Sequence, residues 1–222
     1  MAEWVVISIM FGMICGLLTP PVLFAGLLIL TALKIKFVAM APTEQTKALD
    51  EFNLDTDFLS SQGFQFEGGY TLEGLLTNSD VLIWRQRTDP AFFFAGLGPG
   101  MKEPSLTFLS ILSWKNPEIG INTNDAKFHH VIALEREDYM QTFSDRDLPT
   151  LWRLHQEAEG FVAQRHDMEV NPLNLETTQV VTKACRDTVR RLLFRPWHWP
   201  KYVWRYWVGQ NRRHNKTVAD LN

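Results

Sequence analysis

The run from Trp4 to Leu33 holds thirty residues without a charge, and Lys34 and Lys36 close it. Such a stretch is costly to expose to water and favourable to bury in lipid, so it is read as a membrane anchor. As a helix rising about 1.5 Å per residue it would reach about 45 Å, more than the ~30 Å hydrocarbon core. A kink at Pro20-Pro21 or simple tilt absorbs the excess, because these prolines lack N–H groups and clash with the preceding turn. The alternative is a re-entrant hairpin turning at Thr19-Pro20-Pro21, whose arms would each cover only roughly 18–22 Å. A cleaved signal peptide fits less well. Met1-Ala2-Glu3 supplies no basic leader, and two lysines separate the apolar run from the small residues at Ala39 and Ala41.

Glu3 precedes the run and the two lysines follow it. The positive-inside bias then places the rest of the chain in the cytoplasm. The remaining residues are numerous enough for one domain with its own core. Two cysteines are present, Cys15 in the apolar run and Cys185 in an expected helix, so no disulfide framework is expected. Net charge is −3 but unevenly spread. Residues 190–216 carry eight Lys/Arg and no acid, leaving fourteen Lys/Arg against 25 Asp/Glu elsewhere. The organisation expected is an anchor (1–38), an acidic cytoplasmic domain (39–194) and a basic aromatic interfacial tail (195–222).

Within the domain, Pro42-Thr43-Glu44 opens a helix that Thr43 would cap and Gly63 would end. Five strands are expected, at 64–71, 81–87, 91–97, 105–114 and 119–123, and their short connections favour antiparallel pairing. Val81, Ile83 and Arg85 set against Leu82, Trp84 and Gln86 give no clean alternation, so both faces of that strand are expected to be partly covered. Asp147 would cap a helix whose stripe is Leu151, Leu154, Ala158, Phe161 and Val162. A further helix is expected over 175–194. Strands followed by helices imply an α+β fold, an antiparallel sheet with helices packed on one face, behind a Pro-kinked N-terminal transmembrane helix.

The tail contains Trp197, Trp199, Trp204 and Trp207, half of the chain's eight tryptophans, with Tyr202 and Tyr206 among Lys201, Arg205, Arg212 and Arg213. Amphipathic rings settle at headgroup level and cationic side chains snorkel to phosphates, so these ten residues form the expected contact with an anionic membrane surface or a membrane-protein partner. Packing of the tail on its own domain is the competing reading. Nucleic acid is not an expected partner, given the acidic body and the anchor.

Signals for chemistry are sparse. His155 and His166 lie eleven positions apart on one helix and therefore project from nearly the same side. His155 and Glu159 have i, i+4 spacing, yet no third ligand completes a metal set, and His129-His130 stands alone. Gly96, Gly98 and Gly100 lack the helix start that a phosphate loop needs, and read as an inter-strand loop. Ser105, Ser110 and Ser113 lack a nucleophile-elbow setting, and Cys185 reads as a buried helix residue. No metal or cofactor is expected. The expected function is a membrane-anchored, non-catalytic binding domain, an accessory or scaffold subunit of a membrane complex. Two alternatives stay open. One is a lipid- or small-molecule-binding domain, with Phe92, Phe93, Phe94, Phe108 and Trp114 lining a pocket or filling a core. The other is a membrane-associated enzyme using a histidine site.

Overall fold

A computed structural model describes residues 36–73, 78–98, 100–113, 119–125, 139–144, 147–169 and 215–221. Seven strands form one sheet: β1 (Lys36–Ala39), β2 (Phe64–Glu73), β3 (Ser79–Gln86), β4 (Ala91–Leu97), β5 (Ser105–Ser113), β6 (Ile119–Asn124) and β7 (Tyr139–Thr142). Their order across the sheet is their order in the chain. From β1 to β6 every neighbouring pair is antiparallel, as the short turns between β3, β4, β5 and β6 dictate. β7 instead runs parallel to β6, with Ile121 opposite Tyr139 and Thr123 opposite Gln141. Residues 125–138 separate these two strands, and only a connection of that length can return the chain to the same end of the sheet. The fold class is α+β, with a sheet that is mostly antiparallel.

Three helices accompany the sheet: α1 (Pro42–Phe52), α2 (Thr56–Ser61) and α3 (Leu148–His166). The single helix expected between Pro42 and Gly63 is two. Asn53 takes the left-handed conformation that ends α1, and Asp55 accepts a hydrogen bond from the Phe58 amide at 2.8 Å to start α2. Thr43 is not the cap of α1. Ala41 holds that position, and its amide donates to the Glu44 carboxylate at 3.0 Å. Gly63 still serves its turn, at φ +82° just beyond α2. α3 begins as expected, with the Thr150 amide donating to Asp147 at 2.8 Å.

All three helices contribute to one side of the sheet. Ala48, Phe52, Leu59, Leu151 and Trp152 meet Leu82, Trp84, Phe93 and Phe108 in a single buried cluster. Its centre is aromatic: Phe93 and Phe108 have ring centroids 4.8 Å apart, Phe64 and Trp152 5.0 Å, and Phe108 and Trp152 5.1 Å. Tilted and edge-on pairs at these separations stabilise beyond their area burial, each by about 0.5–1.5 kcal/mol. A second cluster joins Leu112, Ile119 and Ile121 to Ala158 and Val162 of α3. Ile83, Phe92, Leu109 and Ile111 project to the other side and are buried as well, which explains the unbroken apolar runs in β3 and β4. Phe92, Phe93 and Phe108, candidates for pocket or core, are fully buried core residues.

No helix among the described residues is long and apolar enough to cross a membrane. The apolar run 4–33, Trp114, His129, His130, both cysteines, the helix expected over 175–194 and the tail residues from Trp197 to Arg213 lie outside the described residues.

Candidate functional site

Within the largely apolar inward row across β5, β6 and β7, three buried polar side chains meet. Phe108 pairs with Thr123, Ser110 with Ile121, and Thr123 with Gln141, so Ser110, Thr123 and Gln141 come together on the side covered by α3. The helix lays His155 and Glu159, one turn apart, over them. Ser110, Thr123, Gln141 and His155 are fully buried, while Glu159 is 9 % exposed.

These side chains form a continuous chain of hydrogen bonds. Ser110 Oγ bonds the Glu159 carboxyl and lies 2.8 Å from His155 Nε2. His155 Nδ1 lies 2.9 Å from Thr123 Oγ1. Gln141 Nε2 donates to Thr123 Oγ1 at 2.9 Å and to the Leu154 carbonyl at 2.8 Å. The Val218 amide in turn donates to Gln141 Oε1 at 3.0 Å. The Asn215 amide donates to the Thr142 carbonyl at 2.8 Å, and Val218 is buried, so residues 215–221, counted with the tail by sequence, are held against β7.

Burial sets the charge state of the pair. It lowers the His155 pKa to about 3, so the imidazole is neutral. Burial raises Glu159 to about 7; the Ser110 hydrogen bond opposes this and the charge of Asp89 adds to it. Although His155 Nε2 stands 3.7 Å from Glu159 Oε1, a neutral ring makes the contact a polar packing contact and not an ion pair. A second histidine contact follows the same helix face. His166 Nε2 lies 2.8 Å from the Tyr139 hydroxyl, so both α3 histidines point at the sheet, as their spacing requires.

A serine bonded to a histidine has the elements of an activated nucleophile. Here, however, Ser110 and His155 are both sealed from solvent at 0 % exposure, and a nucleophile must reach its substrate. The arrangement instead fastens α3, three strands and the C-terminal segment to one another. Each buried polar atom that is satisfied in this way avoids a desolvation cost of about 1–3 kcal/mol. No group of three His, Cys, Asp or Glu residues able to hold a metal ion occurs among the described residues.

The accessible feature is elsewhere. A groove of about 580 Å³ opens between α1, α2 and β2, lined by Leu49, Thr56, Ser60, Gly63, Phe64, Gln65, Phe66 and Trp84. Phe66 is 39 % exposed and rests against Trp84 with ring centroids 5.1 Å apart. The stretch that builds most of this groove, residues 41–67, contains six acids and one base, Lys47.

Of the residues singled out by sequence, the structure brings together His155, Glu159 and Ser110. Ser105 bonds the buried Asp125 instead, with 3.1 Å between Oγ and Oδ1. Gly96, Gly98 and Gly100 belong to β4 and the β4–β5 connection, where no helix follows. Thr123 and Gln141 carried no motif. The one available signal was alternation: Leu106, Phe108, Ser110 and Leu112 share one face of β5, and a serine within that row implies a buried polar partner. Comparison with known proteins finds no family model, no curated protein and no solved structure that matches this chain.

Proposed function

We propose that this chain is a membrane-tethered, non-catalytic binding domain that serves as an accessory or scaffold subunit of a membrane complex. The observation that carries the reading is the open groove between α1, α2 and β2, where Leu49, Phe64, Phe66 and Trp84 stand beside Thr56, Ser60 and Gln65, with Phe66 partly exposed, in a stretch rich in acids. Isolated apolar side chains on a surface are ordinary, but a partly exposed aromatic residue at an uncharged groove, in a stretch rich in acids, suits a complementary partner. The occupant that matches is a basic segment with an apolar anchor, contributed by a membrane-protein partner. Charge complementarity would steer its approach and the groove would take the anchor.

The tether in this proposal is the run 4–33, a Pro-kinked single span with the domain on the cytoplasmic side. Strand β1 begins at Lys36, three residues after Leu33, so the β1 edge of the sheet and the adjoining helix α1 would stand at the membrane surface. The ten aromatic and basic residues from Trp197 to Arg213 supply a second contact with the same surface.

The test is affinity purification of the full-length chain from native membranes, beside a Phe66→Ser/Asp57→Lys variant. Both positions are exposed, so the fold should survive. A co-purifying membrane protein that cross-links to residues 56–66 and is lost from the variant supports the reading. Recovery of the chain alone, or the same partners with both proteins, refutes it.

A further inference from the structure

The hydrogen-bond chain from Glu159 to Val218 takes one of two sets of protons according to whether Glu159 Oε1 is a carboxylate oxygen or carries the proton, and Glu159 is the member that is not fully buried. With Glu159 ionised, the Ser110 hydroxyl donates to the carboxylate and must accept from His155 Nε2–H. Nδ1 then carries a lone pair and accepts from the Thr123 hydroxyl, whose oxygen accepts only from Gln141. With Glu159 protonated on Oε1, the oxygen that bonds Ser110, its O–H donates to Ser110 and the Ser110 hydroxyl turns to Nε2. The ring hydrogen must then sit on Nδ1 and donate to Thr123 Oγ1. That oxygen now receives both the ring and Gln141, and the Thr123 hydrogen loses Nδ1 as its acceptor. One proton is added overall, at Glu159, and the imidazole keeps a single hydrogen throughout, relocated from Nε2 to Nδ1.

We propose that this network is a proton-controlled latch, in which the protonation of Glu159 selects the tautomer of His155 and, through Thr123 and Gln141, sets how firmly the C-terminal segment at Val218 is held. Glu159 is the one member of the five side chains with access to water, so it is where the proton enters. Among the described residues, the groups facing it are Ser110 on β5, His155 on its own helix and the carboxylate of Asp89 in the β3–β4 turn. None of these is a cation at neutral pH; the Ser110 hydrogen bond favours the ionised form, but burial outweighs it, and Glu159 titrates near physiological pH. The acid form leaves Gln141 sharing its acceptor, which loosens the Gln141 carboxamide and with it the bond from the Val218 amide. The segment so controlled follows directly on the basic aromatic stretch, so its release would free one end of that stretch.

The full-length chain in detergent, with ¹⁵N-labelled histidine, reports the tautomer directly from the nitrogen shifts. A His155→Gln sample identifies the resonance. The expected result is an Nε2–H ring above neutrality and an Nδ1–H ring below it, with the midpoint at the Glu159 titration. Hydrogen exchange at the Val218 amide, corrected for intrinsic rate, should become faster in the acid form, on the order of threefold for a partial loss of one hydrogen bond. In Glu159→Gln, which cannot ionise, the tautomer should no longer change with pH. A ring that keeps one tautomer across the range, a change that persists in Glu159→Gln, or a switching ring with unchanged Val218 exchange would each overturn the proposal. If the variant fails to fold, the wild-type titration and the Val218 exchange decide alone.

Discussion

Replacing Glu159 by Gln removes a titrating group while keeping a side chain of the same shape that can still bond Ser110. In the folded chain Glu159 titrates at about 7, against an ordinary carboxylate value of 4.5. A raised carboxylate pKa means that the native state holds its proton more tightly than the unfolded chain does. Its contribution to stability is therefore fully present below pH 4.5 and is lost as pH rises to about 7. At about 1.4 kcal/mol per pH unit, the loss totals roughly 3 kcal/mol. His155 works the other way. Its folded pKa of about 3 lies below the ordinary 6.5, so its contribution is present above pH 6.5 and declines as pH falls toward 3. Between pH 4.5 and 6.5 the two slopes oppose each other, and the pair leaves wild-type stability almost level there. Glu159→Gln uncovers the histidine slope, about 1.4 kcal/mol lost per pH unit of acidification in that window. Subtracting wild type from variant isolates the carboxylate. The variant should be near wild-type stability at pH 4.5 and gain steadily to roughly 3 kcal/mol above it by pH 8. Pulse proteolysis in urea on the full-length chain in mild detergent measures this difference. A difference that does not change with pH, or a variant weaker than wild type above neutrality, would refute the reasoning.

Gln141→Leu removes the groups that serve Thr123, the Leu154 carbonyl and the Val218 amide, and should cost about 2–4 kcal/mol; limited proteolysis should then cut near residues 215–221 first. Gly69→Ala places a Cβ 2.8 Å from Met40 Sδ, 3.0 Å from Leu82 Cδ2 and 3.1 Å from Gln45 Cγ, at the corner where β1 leads into α1. It should destabilise by about 1–3 kcal/mol in the same urea assay, with the flexible Met40 limiting the damage. Reversing Lys201, Arg205, Arg212 and Arg213 to Glu should weaken binding of the chain to anionic vesicles, read by co-sedimentation. This leaves Val218 in place, whereas deleting the whole tail would also break the Gln141 bond; unchanged sedimentation would count against the membrane contact.

Most of the sheet is legible in the sequence. Strands over 64–73, 79–86, 91–97, 105–113 and 119–124 match five apolar segments bounded by turn residues, with 91–97 placed at both ends. The two edge strands were not legible. Lys36–Ala39 and Tyr139–Thr142 are four residues each, and their sequences, KFVA and YMQT, have too few positions to display a period. Each exists because a longer neighbour offers it a ladder of hydrogen bonds. The break between α1 and α2 was missed for a related reason. Phe52 and Leu59 are seven residues apart and would share one face of a continuous helix as well, so their spacing hides the break that Asn53, in the left-handed conformation, and the Asp55 cap introduce.

The sequence by itself determined that the sheet must be antiparallel over most of its width, because connections of a few residues permit no other return. It also determined that His155 and His166 share a helix face, because 3.6 residues per turn leaves eleven-residue spacing nearly in register. Whether His155 would be a ligand, a base or a sealed structural group was decided only by the tertiary structure. Its partners Ser110 and Thr123, and Gln141 behind Thr123, stand 45, 32 and 14 residues away along the chain on three different strands. Only strand register and the seating of α3 make them neighbours. A side chain's pKa and access to solvent are properties of that neighbourhood, and local sequence carries no record of it.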